Sequence, residues 1–214
     1  MIILIDNGHG SDTKGKCSPD GLFREYRYTR EIAARIETEL RARGYDARRI
    51  VPEENDISLT ERSRRVNEIC GKYGTSNVIL ISVHNNAAGA DGKWKSAGGW
   101  CAYTSPGKTA ADKLATALYN AAETALAEYI ANFPKLKAAG AYDSKQRPIR
   151  SDFSDGDPDY EEAFYILRKT KCPAVLTENL FQDNRADVEY LLSESGKQSI
   201  VNLHVSGVIE YLNS

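Results

Sequence analysis

Ile2-Ile3-Leu4-Ile5-Asp6-Asn7-Gly8-His9-Gly10 opens the chain, and Val78-Ile79-Leu80-Ile81-Ser82-Val83-His84-Asn85-Asn86 repeats its pattern: an apolar, β-branched run that ends in a small polar turn carrying a histidine. Runs of this kind read as strands buried on both faces, as in a parallel sheet covered by helices. A third run, Pro173-Ala174-Val175-Leu176-Thr177-Glu178, ends in a carboxylate. In open α/β sheets ligands bind outside the carboxyl ends of the strands, so His9, His84 and Glu178 are expected at one crevice. Two of the three histidines placed this way mark a candidate metal site. The plainer alternative, histidines satisfied at the surface or in the core, stays open on the spacing alone.

The intervening sequence alternates helix and strand signals. A helix is expected from about Tyr28 to Arg43, with Ile32, Ile36 and Leu40 on one row and Gly44 as its stop. Tyr45 to Val51 reads as a strand. Ser58-Leu59-Thr60-Glu61 has the spacing of a capping box and opens a helix expected to bury Leu59, Val66 and Ile69. Gly98 to Thr104 is another short strand, followed by an Ala-rich helix from about Thr109 to Tyr129. Asn132 to Glu162 reads as irregular, the kind of stretch that lines or covers a site. Two helices, about Arg185 to Leu192 and Glu194 to Leu212, close the chain. This order predicts an α/β fold: a mostly parallel, twisted central sheet of about six strands with helices on both faces, in one domain over residues 1–214.

Composition narrows the function. With 41% hydrophobic and 27% charged residues in 214, the chain has the make-up of a soluble domain with a full core. A net charge of −2 offers no electrostatic case for nucleic acid, and Arg62, Arg64 and Arg65 read as the solvated face of one helix. No apolar run reaches the length of a membrane span. Cys17, Cys70, Cys101 and Cys172 are widely spaced and read as small buried hydrophobes, with one disulfide left open. Gly8-His9-Gly10 begins like a dinucleotide loop, but Thr13 stands at the third glycine position. Met1 leads straight into a core strand with no secretory leader before it. The expectation is a signal already removed, or cytoplasmic synthesis with release by another route.

Catalytic zinc takes three protein ligands and keeps a fourth position open. Beyond His9 and His84, the loop leaving His9 leads to Glu25 at the start of the first helix, where a carboxylate is also favoured by the helix dipole. An ordinary first-turn glutamate is the alternative. Glu178 has little reason to occupy a strand for stability; at the crevice it suits a general base, and otherwise it is an exposed strand-end carboxylate.

These residues carry a resemblance. Asp6-Asn7-Gly8-His9-Gly10, Glu25 at the first helix, Ser82-Val83-His84-Asn85-Asn86-Ala87 and Leu176-Thr177-Glu178-Asn179-Leu180-Phe181-Gln182-Asp183-Asn184, in that order, resemble the zinc-dependent N-acetylmuramoyl-L-alanine amidases of the amidase-3 type. The resemblance implies a zinc cofactor held by His9, Glu25 and His84, with Glu178 as the catalytic carboxylate. It also implies hydrolysis of the amide between N-acetylmuramic acid and L-alanine, with peptidoglycan or a muropeptide as partner, acting at the cell wall in the periplasm or outside the cell. Asp6, Asn7 and Asn86 are candidates to orient the imidazoles. His204, in the row Ile200, His204, Val208, Leu212, reads as structural. Asn85 and Leu180 depart from the family, which usually has a small residue and a glycine there, and are expected to reshape the pocket floor. Tyr142, Arg147, Arg150, Phe153 and Tyr160 make the 132–162 stretch a candidate gate or a binder of sugar rings and acidic stems; a solvated insertion is the alternative. Three rivals remain at this point: a zinc peptidase cutting another wall amide, a non-catalytic wall-binding module, and a cysteine hydrolase pairing Cys101 with His84.

Overall fold

The computed structural model describes residues 1–214. Its sheet has six strands in the order β2-β1-β3-β6-β4-β5: β1 is Ile2–Asn7, β2 Asp46–Arg49, β3 Val78–Asn86, β4 Cys101–Thr104, β5 Tyr160–Glu161 and β6 Ala174–Phe181. β2, β1, β3 and β6 run parallel, whereas β4 is antiparallel to β6 and carries β5 parallel to itself. The central strands are buried on both faces, which is why they read as unbroken apolar runs.

From β1 the chain passes through α1 (Glu25–Ala42) to β2 on one side, then returns through α2 (Leu59–Tyr73) to β3 on the other. The strand order reverses between β1 and β3, so a crevice opens at their carboxyl ends. His9 and His84 stand there. The larger core packs α1, α3 (Ala111–Ala125), α4 (Ala127–Ala138), α6 (Arg185–Leu192) and α7 (Glu194–Asn213) on one face. The smaller core packs α2 and α5 (Tyr165–Lys169) on the other.

Several local expectations shift. The Ala-rich helix breaks at Leu126 and continues as α4 through Pro134, because Tyr129 and Phe133 anchor that turn in the core. Ser58 caps α2 by accepting from the Glu61 N–H at 3.2 Å, but Leu59 is exposed: it faces the crevice instead of the core. His204 is fully buried, with Nε2 2.9 Å from Thr177 Oγ1 and Nδ1 2.7 Å from the Ile200 carbonyl. All four cysteines are free thiols.

Between the pairs His84–Glu178 and Asn86–Phe181 the register slips by one residue. This bulge puts Leu180 in the left-handed region (φ 63°), which costs a side chain-bearing residue roughly 1–2 kcal/mol. Full burial of the leucine in the larger core, worth about 2–5 kcal/mol against alanine, outweighs that cost. Leu180 therefore points away from the crevice and does not form its floor.

Two outcomes follow from these placements. In urea unfolding, Leu180→Ala should be less stable than Leu180→Gly by about 1 kcal/mol, the reverse of the usual order, because alanine keeps the strain while losing the packing; Ala above Gly would contradict the assignment. Burial holds His204 neutral with its pKa lowered to about 4. An unfolded histidine protonates near 6.5, so its contribution is intact above that pH and is lost as pH falls toward 4, by up to about 1.4 kcal/mol per unit. Stability of wild type and His204→Gln measured from pH 7 to 4 should diverge in slope within that window.

Candidate metal centre

The candidate ligands come from three different elements, each held by its own local cause. His9 leaves β1 with φ 60°, a left-handed conformation between Gly8 and Gly10. Both glycines are sites of close approach. A Cβ on Gly8 would lie 2.5 Å from Nδ1 and Cε1 of His84, and one on Gly10 would lie 2.0 Å from the Asp56 backbone nitrogen. The glycines thus serve imidazole and backbone packing. His84 sits on β3 directly beside Glu178 of β6 in the parallel register.

Glu25 is the first residue of α1 and is completely buried. Its N–H bonds the Lys16 carbonyl at 3.1 Å, and one turn later Thr29 Oγ1 donates to the Gly8 carbonyl at 3.1 Å, which docks the helix start beneath His9. Glu25 Oε1 accepts from the Asn85 N–H at 2.9 Å and lies 3.2 Å from His84 Nδ1; Oε2 lies 3.5 Å from His9 Nε2. The two imidazoles meet edge to face with centroids 5.2 Å apart. One ligand atom from each of His9, Glu25 and His84 falls within 4.8 Å of the others.

The three groups and Glu178 are electrostatically coupled. Burial dominates at His9 and lowers its pKa to about 4, keeping the ring neutral and able to ligate. At Glu25 burial favours the acid, but the hydrogen bond and charge of His84, the charge of His9 and the Asn85 N–H together hold the carboxyl below its ordinary value. At His84 burial is likewise outweighed, here by Glu25, and the pKa rises. Glu178 is pushed up to about 7, by burial first, against the nearby His84. Glu25 Oε2 and Glu178 Oε2 are buried without a hydrogen-bond partner. Buried carboxylate oxygens are rarely left so, and two N donors with one O donor are a zinc-type set. The residues fit a metal ion.

The cleft above them encloses about 520 Å³, between the start of α2 and the Phe164–Ile166 segment, with His9, His84 and Glu178 at its base. A larger groove of about 770 Å³ opens where β6 begins and has no histidine or carboxylate in its walls. Residues 132–162 contribute nothing to the lining of the cleft. Tyr142 is core instead, stacked on Phe133 at 4.1 Å and donating to Asp187 at 2.6 Å, while Phe153 is exposed and makes one wall of a separate surface hollow. Burial raises the Cys101 thiol to about 12, which removes the thiolate that a cysteine hydrolase needs.

The pattern of the amidase-3 family, N-acetylmuramoyl-L-alanine amidase, matches residues 3–210. The chain belongs to this family. It is 28% identical over 213 residues to the N-acetylmuramoyl-L-alanine amidase CwlM of Bacillus licheniformis, covering 99% of this chain and 68% of that protein. It is 25% identical over 228 residues to the amidase AmiC of Neisseria meningitidis serogroup B, covering 100% of this chain but 53% of AmiC, about half its length. The fold superposes on the catalytic domain of the amidase CwlV from Bacillus (Paenibacillus) polymyxa var. colistinus with a TM-score of 0.72 at 18% identity, over 99% of this chain and 98% of that one.

Within this amidase-family chain the expected orienting residues do other work. Asp6 accepts from Arg62 at 2.6 Å and from Ser82 Oγ at 2.6 Å, and Asn86 Oδ1 accepts from the Ala87 N–H at 2.8 Å; neither bonds an imidazole. The buried Asn7 carboxamide has no partner. Asn85 is buried below the site, its backbone N–H on Glu25 and its side chain on the Asn179 carbonyl, so it does not form the pocket floor either. Arg62 overturns the solvated-face reading of its helix: it is 2% exposed and donates to Asp6, the Asn7, His9 and Ile57 carbonyls, and Asp56. Its position in the first turn after Ser58, facing the opposite way from Arg64, was the available signal. Asn179 was also missed; it donates to the His84 carbonyl at 3.0 Å and accepts from Trp100 Nε1 at 3.0 Å, tying β6 to β3 under the ligands.

Gly8→Ala should drive the His84 ring from its place and weaken metal affinity by about 10–100-fold, as loss of a supporting contact does elsewhere. Competition with a chromogenic chelator measures this; unchanged affinity would show that the close approach does not position the ring.

Proposed function

We propose that the chain hydrolyses the amide joining the lactyl group of N-acetylmuramic acid to L-alanine in peptidoglycan, at the cell wall, using zinc held by His9, Glu25 and His84. The observation that carries this reading is the pair of unpartnered buried oxygens, Glu178 Oε2 on β6 beside His84 and Glu25 Oε2 at the start of α1, where Glu25 groups with both imidazoles. Family membership narrows the substrate to the muramoyl amide. When bound, the ion supplies Lewis acidity toward the amide carbonyl and toward water near neutral pH.

The remaining work falls to Glu178. Burial raises the Glu178 carboxyl, which makes it suited to take a proton from the attacking water at Oε2 and to pass it to the departing alanine nitrogen as the C–N bond breaks. One group in both protonation roles suffices, and no histidine is spent as a base. The buried N–H of Asn85, donated to Glu25 Oε1 at 2.9 Å, favours the ionised form of Glu25. Exposed Leu59, Phe164 and Tyr165 frame the cleft with apolar and aromatic surface suited to a sugar ring.

Glu178→Gln should lower muropeptide hydrolysis by about 10²–10⁴-fold while zinc content stays near one per chain, and chelation should abolish activity until zinc is restored. Mass spectrometry of the fragments decides the bond: release of intact stems from muramic acid supports the amidase, whereas cuts within the stem make it a peptidase. Wild type that holds zinc and bind muropeptides without cleaving them would make it a binding module.

A further inference from the structure

Arg150 is the one member of the 132–162 stretch whose charge reaches the catalytic row of the sheet. Its backbone is pinned ahead of β4: Trp100 N–H donates to the Pro148 carbonyl at 2.9 Å and Arg150 N–H to the Trp100 carbonyl at 2.8 Å. The guanidinium lies 5.2 Å over the Phe181 ring and 5.7 Å from that of Tyr160, and Nη1 is 3.9 Å from Cys101 Sγ. It forms no ion pair, and the thiol is its only side-chain hydrogen-bond partner. A guanidinium offers five donors in a planar fork matched to a carboxylate. Holding it half-buried between two rings with most of those donors unspent leaves a preformed site for an acceptor such as a carboxylate.

Strand register says where that site points. His84 pairs with Glu178, and Glu178 with Cys101, so three side chains form one row across the same sheet face, with Arg150 beyond Cys101. Adjacent strands are about 4.8 Å apart. An amide carbonyl poised between His84 and Glu178 therefore lies roughly 7–10 Å from the guanidinium. An extended peptide advances about 3.5 Å per residue, so the residue after the alanine brings its own substituents to Arg150. If that residue continues the stem through its side chain, its α-carboxylate is free to meet the fork.

We propose that Arg150 is a specificity-determining residue that binds a free α-carboxylate on the second stem residue, on the peptide side of the scissile amide. This rests on the amidase reading above for the direction in which the substrate lies. Cation–π contact with Phe181 and Tyr160 fixes the fork in plane without neutralising it. The known alternatives for such a cation, an internal ion pair or full solvation, are both absent here.

Calorimetric binding of the tripeptide L-Ala-γ-D-Glu-L-Lys, and of the same peptide with the glutamyl α-carboxylate amidated, tests this on the zinc-loaded protein. Wild type should bind the free carboxylate at least about tenfold more tightly. Arg150→Gln should bind both peptides equally, at the level of the amidated one, and Arg150→Lys should keep part of the difference. Equal binding of the two peptides by wild type overturns the proposal, as does undiminished discrimination in Arg150→Gln, which would leave Arg150 a packing residue only. Muropeptide hydrolysis run in parallel separates the two readings. Discrimination without cleavage of the muramoyl–alanine bond overturns the amidase and leaves the subsite standing; cleavage without discrimination overturns the subsite alone.

Discussion

A single buried guanidinium holds the upper end of the central strand in place. Arg62 binds the Asp6 carboxylate, the Asn7 and His9 carbonyls at the end of β1, and Asp56 with the Ile57 carbonyl at the start of α2. Removing one partner of such a buried pair costs about 3–5 kcal/mol, since the other charge is left without water. That exceeds the roughly 1–2 kcal/mol needed to keep His9 left-handed. His9 is thus strained, and the strain is held by a residue from the opposite side of the crevice.

Strain recurs on the other wall. Leu180 occupies the bulge that lets β6 pass Glu178 beside His84 and still return to register at Asn86 and Phe181. Its side chain lies in the larger core, while Glu178 two residues earlier faces the smaller one and the cleft. One unpaired residue in the ladder separates the packing of the strand from the aim of its carboxylate. Where the family usually has glycine, this chain trades conformational ease for buried area.

The two faces of the sheet divide the labour. The larger core, with α1, α3, α4, α6 and α7, fixes the strands. The thinner layer, α2 and the short α5, leaves room for the cleft and lends it exposed Leu59, Phe164 and Tyr165. Glu25 alone crosses between them: it starts a helix of the thick layer and ends beneath the imidazoles of the thin one. Complete burial there makes its orphaned oxygen costly without a cation, which is why it is the most informative atom of the site.

The strands, the crevice and the four residues His9, Glu25, His84 and Glu178 were legible in the chain, because apolar runs ending in His or Glu report both burial and where burial stops. The fold class followed from the alternation of such runs with amphipathic helices. The tie made by Asn179 and the exposure of Leu59 were not legible, and Arg62 was legible only as a residue facing the opposite way from Arg64. Helical spacing shows that Arg62 faces away from Arg64, but not which carboxylate and carbonyls it will meet. The sequence by itself determined which strands end in His or Glu at the crevice. Only the tertiary structure decided that α1 docks Glu25 beneath both rings, that the 132–162 stretch misses the cleft, and that antiparallel pairing of β4 sets Cys101 and Arg150 in line with Glu178. The reason is physical: periodicity encodes how one element meets solvent, whereas register and side-chain approach depend on pairs of residues far apart in the chain.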